Sequence, residues 1–513
     1  MKVTTKKAKG LDAHIIDDSN KKIVRTITDF LNTDYKDYTK YVIATRALPS
    51  LLDGFKVGAR KIMHAAFHGG MKNGKEIKNL NLVGDVYNLT LYMHGDASLT
   101  NTIFTLAAEF RDNLNPITIT GQHGSLRDEK AVSAPRYLFC KLSPYANLYK
   151  ADEDLLEYVF DEGTYLEPVN YWPIIPTVIT SRSEGMAPGY KFSSFSYNPL
   201  DIIDACVEIL NEGKISTTIR PYVRGIAPER FTYDTDVNKW LNSGTYKVDI
   251  KNDIFQVSDL PYDLGFDKFE KKLNDMVEKG FIKDWKNYSQ DDTLNYWLIF
   301  PKTQLAREMK PDRKEKLFKK IGLYTYVPDD LLYVIDENGK VKHFTTKESL
   351  IEYFVKFRLA RYNDRKDKLV AVMEKRYEDN SNICKFIELV NDGKIIVTNR
   401  KTKDVKEDLK KFDLPETVLQ IQISKLTDEE KKELLAKNKE IEKELKYIKK
   451  TSIKDMYIND LKKLREELEK EFGEKKVNYY FSKIKDNSKM FDLDMDELFK
   501  ILDKRKEIKN FFD

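Results

Sequence analysis

The segment Ser133-Ala-Pro-Arg136-Tyr137-Leu-Phe-Cys-Lys141 sets a phenol directly after an arginine, with a lysine four residues on. A tyrosine hydroxyl ordinarily titrates near 10, so at neutral pH it is a weak nucleophile. Against a phosphodiester it becomes useful when a cation stands beside it. The cation stabilises the phenolate and neutralises the phosphate under attack. Adjacency alone does not single out Tyr137. The chain has 29 tyrosines, and Tyr362 also follows an arginine. Read by itself, Tyr137 is equally a packed tyrosine with a satisfied hydroxyl.

Two upstream segments strengthen the case. Arg46-Ala-Leu-Pro-Ser-Leu-Leu-Asp-Gly-Phe-Lys56-Val-Gly-Ala-Arg60-Lys61 places four cations around a proline and an Asp-Gly turn. A turn leading into a helix can aim basic side chains and backbone N–H groups at a phosphate. The plainer reading is an exposed loop before a basic helix. In the segment Gly84-Asp-Val-Tyr87 through Tyr92-Met-His94-Gly-Asp96, a histidine in a glycine-flanked turn can donate to a phosphate or move a proton. A lone histidine is more often structural.

These residues need elements to position them, and 513 residues imply two to four domains. Helical periodicity appears over Ile23–Leu31, Tyr41–Leu51 and Ala59–Phe67, with turns at Asp53-Gly54, His68-Gly69-Gly70 and Gly121 to Gly124. From 150 to about 345 the pattern is mixed α/β. Strand-like runs such as Pro176–Thr180 and Lys247–Ile250 alternate with helical runs Asp201–Leu210 and Phe266–Val277. From Lys347 the chain runs without proline or glycine to Asp392-Gly393. A second long run opens on a capping box, Thr427-Asp-Glu-Glu430, and carries Leu434, Ile441, Leu445 and Ile448; a third carries Leu461, Leu464, Leu468 and Phe472. Narrow apolar stripes on charged helices predict antiparallel coiled-coil arms. Asp392–Val397 between them reads as a small turn and strand.

Composition narrows the classes. The net charge is only +5, so nucleic-acid contact requires locally clustered Lys and Arg. Cys140, Cys206 and Cys384 are too dispersed for a disulfide framework or zinc site, which fits a cytoplasmic protein. Neither a signal peptide nor a membrane span is legible.

Taken together, in order and spacing, Arg-Ala-Leu-Pro, Asp-Gly-Phe-Lys, His-Gly-Asp, Gly-Gln-His-Gly-Ser and Ser-Ala-Pro-Arg-Tyr resemble the breakage–reunion (A-type) region of type IIA DNA topoisomerases. Ser-Ala-Pro-Arg-Tyr-Leu-Phe and Trp172-Pro-Ile-Ile-Pro176 look closer to the cleavage core of eukaryotic topoisomerase II than to gyrase. The short separate chain is similar to the medium subunit of T-even-type phage topoisomerases, which implies the cytoplasm of a host cell. The resemblance runs from about residue 25 to about 475. It implies a flexible arm over 1–25, a winged-helix-type cleavage domain over 26–150, an α/β tower with a DNA-bending loop over 151–345, coiled-coil arms with a gate head over 346–475 and a helical segment over 476–513. Asp392-Gly-Lys-Ile-Ile and Leu461–Leu468 fit the family's gate hairpin.

The resemblance also assigns roles. Tyr137 is the nucleophile that forms a transient 5′-phosphotyrosyl link, and Arg136 neutralises the scissile phosphate. Arg46 acts near the nucleophile of the partner protomer, and His94 stabilises the transition state. Lys56, Arg60 and Lys61 hold DNA. Met186, in Gly185-Met-Ala-Pro-Gly189, is the apolar tip that enters the base stack; unstacking costs a few kcal/mol, offset by contacts that bent DNA allows. The chain departs from gyrase-type members at Ala59, where they carry His, and at Tyr92, which matches the eukaryotic type.

Further expectations concern what other chains supply. No Walker-type loop is present, nor is the family's Glu-Gly-Asp-Ser with a paired Asp-x-Asp. Asp492-x-Asp494-x-Asp496 reads as a helix start, because Glu follows where a calcium loop needs Gly. No metal ligands are therefore expected on this chain. Mg2+ and ATP are expected on a partner subunit. A second copy of this chain and double-stranded DNA are expected as further partners. The chain has no room for a DNA-wrapping propeller, so relaxation and decatenation are expected without supercoiling. Two alternatives stand beside this reading: another tyrosine-nucleophile DNA enzyme, such as a relaxase or recombinase, and a non-enzymatic DNA-bending or chromosome-organising protein. Six dispersed histidines argue against a relaxase's metal site.

Overall fold

The computed structural model describes residues 12–16, 22–290, 293–328, 331–397, 400–420 and 427–472. The chain enters through an antiparallel hairpin, β1 (Asp12–Ile16) with β2 (Lys22–Thr26). These strands replace part of the expected arm, and they shorten the helix expected from Ile23. The β-branched pair Ile23-Val24 suits a strand, and helix starts only at Thr26, whose hydroxyl caps Asp29 N. Then come α1 (Ile27–Phe30), a π-helical turn over Leu31–Tyr35, α2 (Lys36–Val42) and a second π-helical turn over Ile43–Ala47. The helix stops at Ala47, short of the expected Leu51, because Pro49 pushes Leu48 into extended backbone (φ −95°, ψ 137°).

The first helical core follows. Helix α3 (Val57–His68) packs on α4 (Asn79–Thr90) and α5 (Asp96–Ala107). A three-stranded antiparallel sheet closes it: β3 (Ile77–Lys78), β4 (Ile117–Thr120) and β5 (Phe139–Leu142), in the order β3-β5-β4. Ile62, Met63, Leu82, Val86, Leu99 and Ile103 are fully buried between these helices, the α4 and α5 pairs at the four-residue spacing of a core face. The short helix α6 (Asn147–Lys150) leads to two hairpins: β6 (Tyr158–Asp161) with β7 (Thr164–Pro168), and β8 (Ser183–Ala187) with β9 (Tyr190–Ser194). Pro176–Thr180, expected as a strand, is a 3-10 turn over Thr177–Ile179. Helix α7 (Pro199–Glu212) starts where the Asn198 side chain caps Leu200 N and ends at Gly213, left-handed at φ 73°.

The segment expected as the tower has a separate hydrophobic core. Strands β10 (Phe231–Asp234), β11 (Lys239–Ser243), β12 (Thr245–Asp249) and β13 (Ile254–Asp259) precede α8 (Phe266–Glu278); β14 (Asp284–Asn287) and β15 (Tyr296–Ile299) precede α9 (Gln304–Glu308), α10 (Pro311–Ile321) and β16 (Tyr324–Tyr326). The antiparallel sheet β12-β13-β15-β14 buries Phe255, Val257 and Leu298 against Phe269, Leu273 and Phe318 of α8 and α10. Strands β17 (Leu332–Ile335) and β18 (Val341–Phe344) return the chain to the main body, where Leu51 N donates to Ile335 O at 2.8 Å.

Helix α11 (Lys347–Asn391) is 45 residues long, roughly 68 Å at 1.5 Å per residue. Its first turns are buried in the main core; farther out it packs against α13 (Asp428–Lys450), which follows α12 (Thr402–Lys411). This is the expected arm and head, with α13 starting at the expected capping segment. Asn438 is buried in the seam and binds Asn380, Ser381 and the Tyr377 carbonyl. Two expectations change. Asp392–Val397 makes the turn but no strand. Helix α14 (Ile453–Phe472) turns its Leu461, Leu464 and Leu468 onto α7 and the base of α11, in the main core and away from the gate head. The expected 476–513 segment and Asp492, Asp494 and Asp496 lie outside the described residues.

Candidate active site

Tyr137 sits on a 3-10 turn, Pro135–Tyr137, fixed from both sides. Proline at its first position presets the turn, and Tyr137 N donates to Ala134 O at 2.9 Å. The next residue, Leu138, is buried; its carbonyl accepts from Asn79 N at 2.9 Å, and it fills the space over Gly121, where a Cβ would stand 2.6 Å from Leu138 Cδ2. Gly121 lies at φ 112°, a left-handed backbone that favours glycine. With its neighbour anchored, Tyr137 itself is 67% exposed. The Arg136 guanidinium carbon lies 4.9 Å from the Tyr137 ring centre. Among the described residues nothing hydrogen-bonds the phenol and no carboxylate pairs with Arg136. The pair is open to an incoming phosphate.

Arg46 and His94 meet elsewhere. Arg46, on the last π-helical turn before Pro49, stacks over Tyr41 at 5.4 Å, and Tyr41 Oη lies 3.4 Å from His94 Nε2. The His94 backbone is held by Tyr87 Oη, which donates to its carbonyl at 2.6 Å, and Tyr92 packs edge-on to its ring. Leu91 adopts left-handed backbone, φ 48°, to end α4 and begin this turn. Tyr41 and Tyr87 were not singled out from sequence. The available signal was weak: Tyr41 precedes Arg46 by five residues on a helix, which does not mark it.

This cluster lines a cavity of about 1250 Å³ that also takes in Lys56, Lys61, Arg111 and Arg182 but neither Arg136 nor Tyr137. Burial pushes the Lys56 ammonium down and the Tyr92 phenol up. Asp112, buried in the wall, is pushed up to about 6 by loss of hydration, opposed by hydrogen bonding from Leu114 N and by Arg224.

The expected DNA-holding cations divide. Arg60 corrects its expectation: it is buried, donating from Nε to Asp53 Oδ2 at 2.7 Å and from Nη2 to Asp53 Oδ1 at 3.1 Å and Asn170 Oδ1 at 3.2 Å. Its guanidinium is engaged inside the fold rather than presented at the surface. Asp53, fully buried, also accepts from Phe55 N and Tyr171 N. Gly54 closes that turn at φ 71°, where a Cβ would stand 2.8 Å from Val178 N. Lys61 lines the cavity but is held by Thr90 O at 2.6 Å and Glu167 at 2.8 Å. Lys56 donates to Glu184 O at 2.9 Å. Glu184 precedes Gly185, where a Cβ would stand 1.9 Å from Ala47 O. Only glycine lets β8 lie against the helix end that carries Arg46. Met186 is 79% exposed, opposite Lys191. It stands one residue before the Ala187–Tyr190 turn and so is not at its tip.

The family signature of the A-type chains of DNA gyrase and topoisomerase IV matches residues 46–468. The chain belongs to that family. It is 30% identical over 479 residues to the mitochondrial DNA topoisomerase 2 of Dictyostelium discoideum, covering 89% of this chain and 36% of that protein. It is 29% identical over 504 residues to DNA topoisomerase 2 of Arabidopsis thaliana, covering 87% and 33%. Its fold matches the solved DNA-binding, cleavage and re-ligation domain of Plasmodium falciparum topoisomerase II, with a TM-score of 0.76 and 25% identity over 86% of this chain and 65% of that one. The chain thus spans about a third of the length of these two full-length relatives. Among the described residues no three His, Cys, Asp or Glu side chains converge as metal ligands.

Proposed function

We propose that this chain is the DNA-cleaving and rejoining subunit of an ATP-dependent type II topoisomerase, built as a dimer whose active sites each draw on both protomers. One observation carries the proposal. Tyr137 and Arg136 are bare on one surface, while Arg46 and His94 line a cavity that excludes them. Each group alone is half of a phosphoryl-transfer site: a nucleophile with one cation, and a cation with a proton donor. Two-fold symmetry pairs each half with the other half from a second copy.

In this reading Tyr137 Oη attacks the phosphorus, and the bond to the 3′-oxygen breaks. A 5′-phosphotyrosyl ester and a free 3′-hydroxyl result. Arg136 and the partner protomer's arginine at position 46 offset charge on the phosphate, and the histidine at 94 stabilises the transition state. The ester conserves the bond energy, so the 3′-hydroxyl reseals the strand without ATP. Met186, exposed beside Lys191, bends the cleaved duplex while a second duplex passes, which relaxes and decatenates DNA. The arm of α11 and α13 forms the exit gate. Mg2+ and ATP belong to a partner subunit. The setting is the cytoplasm, a host's if the chain is phage-encoded. No helix among the described residues is long and apolar enough to cross a membrane.

The test is a denaturant-resistant protein–DNA adduct. The chain assembled with its ATPase and magnesium-binding partner is expected to form one; Tyr137→Phe is expected to bind duplex and form none. Cleavage surviving in Tyr137→Phe rules out the assignment, and absence of adduct from the unmodified assembly favours a DNA-bending protein.

A further inference from the structure

The loop after Gly121-Gln-His-Gly-Ser is a rigid platform for one carboxylate. His123 and Val132 bridge antiparallel, Gly124 N donates to Ala131 O at 3.1 Å, and Asp128 Oδ1 accepts from Lys130 N and Ala131 N at 3.1 Å each. Gly124 lies at φ 96°, and a Cβ there would stand 2.9 Å from Glu129 O. Arg127 ties the loop to the tower, donating to Asp259 Oδ1 and Leu260 O at 2.6 Å each.

Glu129, so positioned, bridges two arginines. Its Oε1 accepts from Arg182 Nη2 at 2.7 Å, and its Oε2 accepts from Arg111 Nη2. The two arginines come from neighbouring backbone: Arg182 N donates to Arg111 O at 2.6 Å. All three side chains line the cavity that holds Arg46 and Lys56. Glu129 is shared between the two guanidiniums, and Asp263 adds a second negative charge facing Arg182. Two guanidinium N–H donors from separate arginines converge on one small anion, the charge-assisted contact by which arginine also binds phosphate oxygens. Arg182 is mostly buried, but Glu129 and Arg111 are 35% and 36% exposed, so these pairs contribute little to stability and exchange readily.

We propose that Arg111 and Arg182 form a clamp for a DNA backbone phosphate, and that Glu129 occupies this clamp until a duplex enters the cavity. The inference rests on the DNA-cleaving reading above. Arg182 immediately precedes β8, so the phosphate that displaces Glu129 is gripped at the root of the hairpin that carries Met186. Glu129 thereby acts as an internal competitor that lowers affinity for DNA, and none of the three residues enters the chemistry.

The test is duplex binding by the full-length Tyr137→Phe chain, read by fluorescence anisotropy over a salt series. Glu129→Gln preserves shape and removes the competing charge; it is expected to bind about three- to tenfold tighter. Arg111→Gln is expected to bind more weakly, with a log K against log salt slope shallower by about 0.9, the share of one phosphate. In the double variant the Glu129→Gln gain is expected to shrink by half or more, because one of its two beneficiaries is gone. Should Glu129→Gln melt below the assay temperature, the slope change of the exposed Arg111→Gln carries the test alone. Duplex binding by the parent together with an unchanged or weakened Glu129→Gln overturns the clamp, as does an equal gain in both backgrounds, which marks a long-range charge effect. Absence of duplex binding by the parent overturns the DNA-cleaving reading as well.

Discussion

Two turns in this molecule carry an arginine beside a residue of interest, and they are opposites. At Asp53–Arg60 the guanidinium is buried, bidentate to a fully buried carboxylate, and the backbone around it is fixed by Gly54 and Tyr171 N. At Arg136–Tyr137 both side chains are exposed, and only the backbone beneath them is fixed, through Leu138, Asn79 and Gly121. The first turn spends its charge holding the fold. The second keeps its charge free for a ligand. Residue type and spacing do not separate the two; burial of the partner carboxylate does.

Substitutions at the two turns should therefore separate stability from activity. The largest effect is expected from Tyr137→Phe: complete loss of the covalent adduct with an unchanged melting transition, since an exposed hydroxyl is removed. A lowered transition would show that the phenol is packed after all. Asp53→Ala leaves Arg60 buried without a partner and should cost about 3–5 kcal/mol in chemical denaturation; a loss below about 1 kcal/mol would mean the turn is solvated. Gly185→Ala forces β8 away from Ala47 O and should cost about 1–3 kcal/mol, with weaker DNA bending by energy transfer between end labels. His64, on the same helix as Arg60, adds a pH dependence. Desolvation, then His68 and Lys61, push its pKa down to about 4 from 6.5, against the opposing pull of Glu153; Tyr158 closes its far side. The unfolded chain then binds the extra proton, so stability is full above pH 6.5 and is lost as pH falls towards 4, on the order of 3 kcal/mol at 1.36 kcal/mol per unit. His64→Gln should flatten that slope in urea titrations. Smallest of all, Arg136→Ala should change stability by less than about 0.5 kcal/mol while lowering the cleavage rate.

The sequence pointed to a candidate nucleophile and to the helical arm because each can be read from sequence pattern without knowing distant contacts. Tyr137 follows from a motif series, and α11 from a run without Pro or Gly closed by Asp392-Gly393. What it hid depends on distant partners. Arg60 looked like Lys56 until Asp53 and Asn170 surrounded it. The stripe Leu461–Leu468 looked like a coiled-coil seam, because a helix packing on α7 and one packing in an arm use the same spacing. Ile23-Val24 and Thr177–Ile179 are short β-branched runs whose state is set by what pairs with them. Tyr41, under Arg46 and beside His94, had no local mark at all.

The composite site is tested most directly by a mixed dimer, one protomer carrying Tyr137→Phe and the other Arg46→Ala, assembled with the partner subunit. If each site uses the tyrosine of one protomer and the arginine of the other, both changes fall in one site and the second stays intact. The mixed dimer is then expected to nick one strand and give an adduct on the Arg46→Ala protomer alone, while each homodimeric variant forms none. A mixed dimer that forms no adduct would contradict the account, because it would place Arg46 and Tyr137 of the same chain in a single site.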